Sequence, residues 1–158
     1  MNQISGTNPY SVHIADWHDS GSALRAVREA VFIREQGVPA KLEWDGLDAG
    51  SVHLIAVDAA HNPVGTARLL PQGAYGIAGR MAVLKEWRGK GVGCALMRRL
   101  LEEADRCQIQ QVTLNAQSHA TRFYARFGFV PVGKQFMEAG IPHVKMALRL
   151  ADGSVDRA

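Results

Sequence analysis

The stretch RGKGVG, Arg88 to Gly93, sets Gly89, Gly91 and Gly93 among an arginine, a lysine and a valine, directly ahead of a run with helical periodicity. A helix N-terminus carries unpaired backbone N–H groups and the positive end of the helix dipole, so an anion placed there is stabilised. Glycine lets the chain take positive φ and come close to a ligand. Arg88 and Lys90 add fixed positive charge. The set suits a pyrophosphate; a glycine turn that merely packs a helix start has the same composition. The spelling excludes two nucleotide loops. GxxxxGK[ST] is absent, and GxGxxG fails because residue 94 is cysteine, so ATP and NAD are disfavoured.

The elements that must hold this loop can be read on either side of it. YSVHIA (10–15) reads as a strand, and Asp16 or Asp19 can cap the helix that follows, with Leu24, Val27 and Val31 at helical spacing. Residues 32–50 mix charge, glycine and proline, which predicts a helix end, a short second helix and a loop. SVHLIAV and VGTARLL, separated by DAAHNP, read as a hairpin, and YGIAGRMAV (75–83) as a fourth strand. From Gly91 to Arg106 the pattern is strongly amphipathic. Val92, Leu96, Leu100 and Ala104 form one stripe, flanked by Met97 and Leu101, with Arg98, Arg99, Glu102, Glu103 and Arg106 facing away. QVTLNA is a fifth strand, HATRFYARF a short helix ended by Gly128, and VPVGKQF and HVKMALRL two more strands. The expected architecture is one mixed α/β domain of the α+β type over residues 1–158, with frayed ends at 1–9 and 151–158.

Composition narrows the function. At 158 residues the chain can bury a sizeable core. A net charge of +3, with no basic run and no interleaved aromatics, gives no support to nucleic-acid binding. Met1 to Tyr10 lacks an apolar leader, and no apolar run approaches the ~18 residues of a membrane span, so a cytoplasmic protein without membrane attachment is the default. Cys94 and Cys107 have no CxxC spacing and read as small buried free thiols. The six histidines do not sit at zinc spacing, so no metal is expected.

MAVLKEWRGKGVGCALM (81–97), LNAQ (114–117) and FYARFGFVPVG (123–133) together resemble the motifs of the GNAT superfamily of N-acetyltransferases. The resemblance covers most of the chain. It implies a central, mostly antiparallel sheet splayed between its fourth and fifth strands, with about four flanking helices and acetyl-CoA in the splay. It assigns the backbone of Met81, Ala82 and Val83 to the pantetheine arm and the amides of Gly89, Lys90, Gly91, Val92 and Gly93 to the pyrophosphate. Arg88 would stack on or pair with that group, and Lys90 would reach toward the ribose phosphate. It gives Asn115 a bond to pantetheine or a cleft water, with a plain buried asparagine as the alternative. It gives Tyr124 the role of general acid toward the departing thiolate, with packing as the alternative.

The acceptor amine must lose a proton, and many relatives place a glutamate on the fourth strand for this. Here the strand reads GRM, with Arg80 in that neighbourhood. The candidate bases left are Glu43, Asp45 and Asp48 in EWDGLD, and Glu138 and His143 in EAGIPH, both regions lining the acceptor side in that family. A base acting through water stays open too, and Arg80 is open to binding an acidic group of the acceptor. The acceptor is expected to be a small-molecule or peptide amine, and a homodimer is admitted by fold analogy alone. Two other readings remain. A non-catalytic acyl-CoA sensor would keep the glycine loop without a base. RAVREAVFIREQGVPAKLEWDGLD (25–48) also partly resembles the N-terminal pattern of acyl-homoserine-lactone synthases.

Overall fold

The computed structural model describes residues 9–150. The predicted frayed ends, Pro9 excepted, lie outside the described residues. The elements run β1 (Tyr10–Ala15), α1 (Trp17–Arg28), α2 (Ala40–Glu43), β2 (Val52–Asp58), β3 (Pro63–Gln72), β4 (Tyr75–Val83), α3 (Val92–Arg106), β5 (Gln111–Gln117), α4 (Thr121–Ala125), β6 (Val130–Pro131), β7 (Phe136–Glu138) and β8 (Ile141–Arg149). One sheet takes the order β1-β2-β3-β4-β5-β8-β6, with β7 also on β8. Every pairing is antiparallel except β4 with β5, which α3 connects. This is the splayed, mostly antiparallel architecture with four helices that the motifs implied.

Both sheet faces are covered, because neighbouring residues of β2 point opposite ways. Leu54 and Ala56 join the cluster built on Val92, Leu96, Met97, Leu100 and Ala104 of α3. Ile55 between them packs with Leu24 of α1. Asp16 caps α1 by accepting from the amides of His18 and Asp19 at 2.8 and 3.1 Å. After Arg28 the helix widens into a π-helical stretch, Glu29–Glu35, which ends with the Gln36 amide on the Val31 carbonyl.

Several expectations are corrected. Glu103 does not face solvent: it is buried, with the guanidinium nitrogens of Arg99 and Arg106 at 3.7 and 3.6 Å from its carboxylate. Cys107 is exposed, since α3 has ended before it, and Cys94 is half-buried; both are free thiols. VPVGKQF is two short strands, broken where Gly133 takes a φ of +85°. Among the described residues no helix is long and apolar enough to cross a membrane.

Two irregularities shape the site. β4 pairs with β5 only at Tyr75–Gln111, Gly76–Val112 and Ile77–Thr113. Beyond Ile77 the strands part, and the β5-facing backbone of β4 has no strand beside it. Between the pairs Thr66–Ala82 and Arg68–Gly79, a single residue of β3 faces two of β4, which is a β-bulge. Arg80 sits on the bulge at a φ of +50°, a left-handed conformation that is uncommon for arginine. The Thr66 hydroxyl donates to the Arg80 carbonyl at 3.0 Å and holds it there.

Candidate active site

The parting strands enclose a cleft of about 860 Å³. Its β4 wall carries Ile77 to Val83. Its opposite wall carries Leu114, Asn115 and Gln117 of β5, and His143 of β8 beyond them. Phe123 and Tyr124 of α4 and Gly93 of α3 line one end, while Glu43, Asp45 and Arg68 line the other. The cleft therefore gathers Tyr124, His143, Glu43, Asn115, Met81, Ala82, Val83, Arg88 and Gly93 from seven separate stretches of chain. Gly91 lines a shallower depression between β1 and α3 instead, and Gly89, Lys90 and Val92 line neither.

At the α3 end the chemistry belongs to the backbone. Gly89 and Gly91 have φ of +76° and +84°, and Gly91 is the N-cap of α3 with no side chain capping the helix. The first-turn amides of a fifteen-residue helix are thus left for an outside acceptor. A Cβ on Gly89 would meet nothing within 4 Å, whereas one on Gly91 would meet the Tyr10 hydroxyl at 3.2 Å. These features fit a bound pyrophosphate. The two cations of the loop are otherwise engaged. Arg88 donates to both Glu35 carboxylate oxygens at 2.7 Å and to the Val83 carbonyl at 3.0 Å, and the Lys90 ammonium lies 5.0 Å from the centre of the Trp87 ring. Hydrogen bonding from Arg88 holds Glu35 below its ordinary value.

Tyr124 meets Phe123 edge-on at 5.0 Å and Phe129 at 6.1 Å. Burial pushes its hydroxyl up to about 12, and no hydrogen bond to that hydroxyl is found among the described residues. It therefore stays protonated near neutrality and has its proton to offer. Asn115 is exposed in the cleft rather than buried, with its amide uncommitted among the described residues. Opposite β4, His143 is buried beside Phe136, with Nδ1 2.7 Å from the Ile141 carbonyl. A carbonyl only accepts, so Nδ1 carries a proton, and Nε2 is the nitrogen that holds the lone pair when the ring is neutral. Glu138 is 3.6 Å from that Nε2.

The other end holds what the sequence hid. Three arginines and three carboxylates form one cluster. Arg28 Nε and Nη1 bond Glu43 and Asp48 at 2.7 Å each. Arg68 reaches Asp48 at 3.1 Å and Asp45 at 2.8 Å, and Arg80 reaches Glu43 at 3.0 Å and Asp45 at 3.1 Å. Trp44 lies over the Arg28 guanidinium at 4.9 Å. Burial pushes Glu43 up against the pull of Arg80 and Arg28. Burial acts on Asp45 too, but the bonds and charge of Arg68, the Leu47 amide and Arg80 outweigh it and hold Asp45 at about 2; Asp48 is lowered in the same way by Arg28 and Arg68. EWDGLD is therefore not a solvated loop. The sequence did carry one trace of this: Arg28 follows Leu24 by four and precedes Val31 by three, which puts a charge on the buried stripe of the helix. Gln36 and Gln117 exchange amide bonds of 2.8 and 3.5 Å, tying the end of the π-helical stretch to the end of β5.

Comparison with known proteins gives one consistent family. Residues 20–150 match the model of the acetyltransferase (GNAT) domain. The uncharacterised N-acetyltransferase YjcF of Bacillus subtilis is 41% identical over 121 residues, covering 76% of this chain and 86% of that protein. An acyl-CoA N-acyltransferase from Pseudomonas aeruginosa superposes with a TM-score of 0.78 at 32% identity, covering 87% of this chain and 98% of that one. The ElaA protein of Escherichia coli gives a TM-score of 0.78 at 31% identity, with the same coverage.

Proposed function

The chain belongs to the GNAT acetyltransferases, and from that premise we propose that it moves the acetyl group of acetyl-CoA directly to the amine of a small-molecule or peptide acceptor. One observation carries this reading. An uncapped helix N-terminus behind left-handed glycines stands at one end of a cleft in which the Tyr124 hydroxyl has no partner among the described residues. The pyrophosphate would rest on the amides of Gly89 to Gly93, and the pantetheine arm along the β5-facing edge of β4 at Met81, Ala82 and Val83. For Arg88 to meet the pyrophosphate, it would exchange Glu35 for it.

His143 is the favoured base. Its Nε2 has a lone pair in the neutral ring, and Glu138 stands ready to stabilise the charged ring that forms. Glu43 is better suited to positioning, because Arg28 and Arg80 both hold its Oε2. In the transfer, the amine nitrogen bonds to the acyl carbon while the carbon–sulfur bond breaks. One amine proton goes to His143, and the Tyr124 proton goes to sulfur. The phenolate left behind is the conjugate base of a group at about 12, so it regains a proton from water.

Free-thiol release from acetyl-CoA, followed across a panel of amines, tests transfer against a binding-only role. Tyr124→Phe tests the acid. General acids are typically worth about 10²–10⁴-fold, so kcat should fall by that order while acetyl-CoA Kd and melting temperature hold. Full turnover in Tyr124→Phe, where chemistry limits the rate, would remove Tyr124 from the mechanism.

A further inference from the structure

Arg80 stands where the bulge turns β4 toward the acceptor end, and its guanidinium is only half committed. The Nε and Nη2 edge is taken: Nη2 donates to the carbonyls of Leu42 and Glu43 at 3.2 and 2.9 Å and to Asp45 at 3.1 Å. Nε lies 3.0 Å from Glu43 Oε2 as an ion pair, at an angle too poor for a hydrogen bond. Nη1 has two N–H donors and no partner among the described residues, and it is not sealed from solvent. The side chain is 23% exposed, and the residue lines the cleft. The two Nη2 N–H groups, shared among three acceptors, and the Nε ion pair thus hold one edge of the fork while leaving one arm open. The cluster is neutral by count, three arginines against three carboxylates, so any selectivity rests on where Nη1 is held rather than on surplus charge.

The opposite wall carries the complementary group. Arg80 lies three residues past the last β4–β5 pair, Ile77–Thr113. Gln117, four past Thr113 on β5, pairs with His143 on β8, so both walls reach similar depth. One wall therefore offers a cationic donor. The other offers a carboxylate, Glu138, beside a histidine nitrogen. A small molecule that is an ammonium at one end and a carboxylate at the other matches both. We propose that the acceptor is a free amino acid, whose carboxylate is held by Arg80 Nη1 while its amine meets His143 and Glu138. This rests on the acetyl-transfer reading for its chemistry, although the carboxylate contact itself needs no transfer.

The test pairs each protein amino acid with its own amide, which keeps the amine and removes the carboxylate charge. A hydrogen bond to a charged group supports an expected preference in kcat/KM of about 10- to 100-fold for the acid form of the accepted side chain. In Arg80→Asn, chosen because asparagine tolerates positive φ, that ratio should fall toward one. In Arg80→Lys, which keeps the charge without the fork, it should fall only part of the way. Calorimetry with the N-acetylated acid and the N-acetylated amide, without any CoA, should show the same preference and the same loss in the variants. Turnover of amides and acids alike, or a preference that persists in both variants, overturns the proposal and leaves acetyl transfer standing. Preferential binding of the N-acetylated acid that depends on Arg80, with no thiol release from any pair, supports the anchor and sinks the transfer reading instead.

Discussion

The two ends of the cleft are built on different principles. At the α3 end, positive-φ glycines and free helix amides make the site, and the nearest cations face Glu35 and Trp87. At the other end, side chains from α1, α2, β3, β4 and the loop after α2 hold one another in an ion-pair cluster. A backbone site is local: its parts are neighbours in sequence, so it leaves a motif. A side-chain cluster is assembled by the fold, so its parts lie far apart and leave almost none. The first should therefore be insensitive in stability and sensitive in cofactor binding, and the second the reverse.

The hardest blow to this contrast, and the largest expected effect, is Arg28→Ala. It leaves Glu43 with only the Arg80 guanidinium and Asp48 with only the Arg68 guanidinium. Losing one partner of a buried pair costs about 3–5 kcal/mol when no other partner remains, so the cost here should approach the lower end of that range. Urea unfolding should register that loss. A loss under about 1 kcal/mol would mean the cluster is not a stabilising unit. Acid should come next in size. Asp45 and Asp48 are depressed on folding, so their stabilisation is complete above the ordinary value of 3.8 and is lost as pH falls below it, toward about 2 for Asp45. Glu43 runs the other way: raised on folding, it is favourable below its ordinary 4.5 and loses that as pH rises through the folded value. Melting temperature followed downward from pH 5 should therefore drop between about pH 4 and 2, and the drop should be absent or smaller in Asp45→Asn.

At the opposite end, Gly91→Asp sets a side chain against Tyr10, strains a φ of +84° and brings negative charge to the helix start. Its stability cost should be about 1–2 kcal/mol, yet acetyl-CoA should no longer raise the melting temperature. Equal stabilisation of wild type and variant would remove the phosphate cradle. The mildest change is Gly89→Ala. The added methyl meets nothing within 4 Å, so only the φ penalty of about 1 kcal/mol remains, and denaturant unfolding should find no more than that.

The same contrast explains what could be read from sequence. β4, α3 and β5 stand within a residue or so of where alternation and the 3.6-residue period put them, and RGKGVG proved to be a helix start. EWDGLD reads in the sequence as a source of candidate bases, and nothing along the chain announces Arg28 and Arg68 as partners of its Asp48 across 20 residues. Arg80 stands out in the sequence as a departure from a family pattern and as a candidate for an acidic group of the acceptor, but its left-handed φ belongs to a bulge that alternation cannot encode. Glu103 differs from expectation because its charge places it on the solvent face by pattern, and the pattern of apolar positions says nothing of the Arg99 guanidinium one turn away.

The three rungs joining β4 to β5 also bear on how the molecule comes together. β2, β3 and β4 form a meander in which each pairs with the next across a short connection, whereas β1 reaches β2 only across α1 and α2. β5 to β8 make a second antiparallel unit, tied to the first by α3 and those rungs. Short loops close early and long ones late. The seam between β4 and β5 thus closes a long loop for only three rungs, and the place where substrates gather is a join that is costly to make and lightly held.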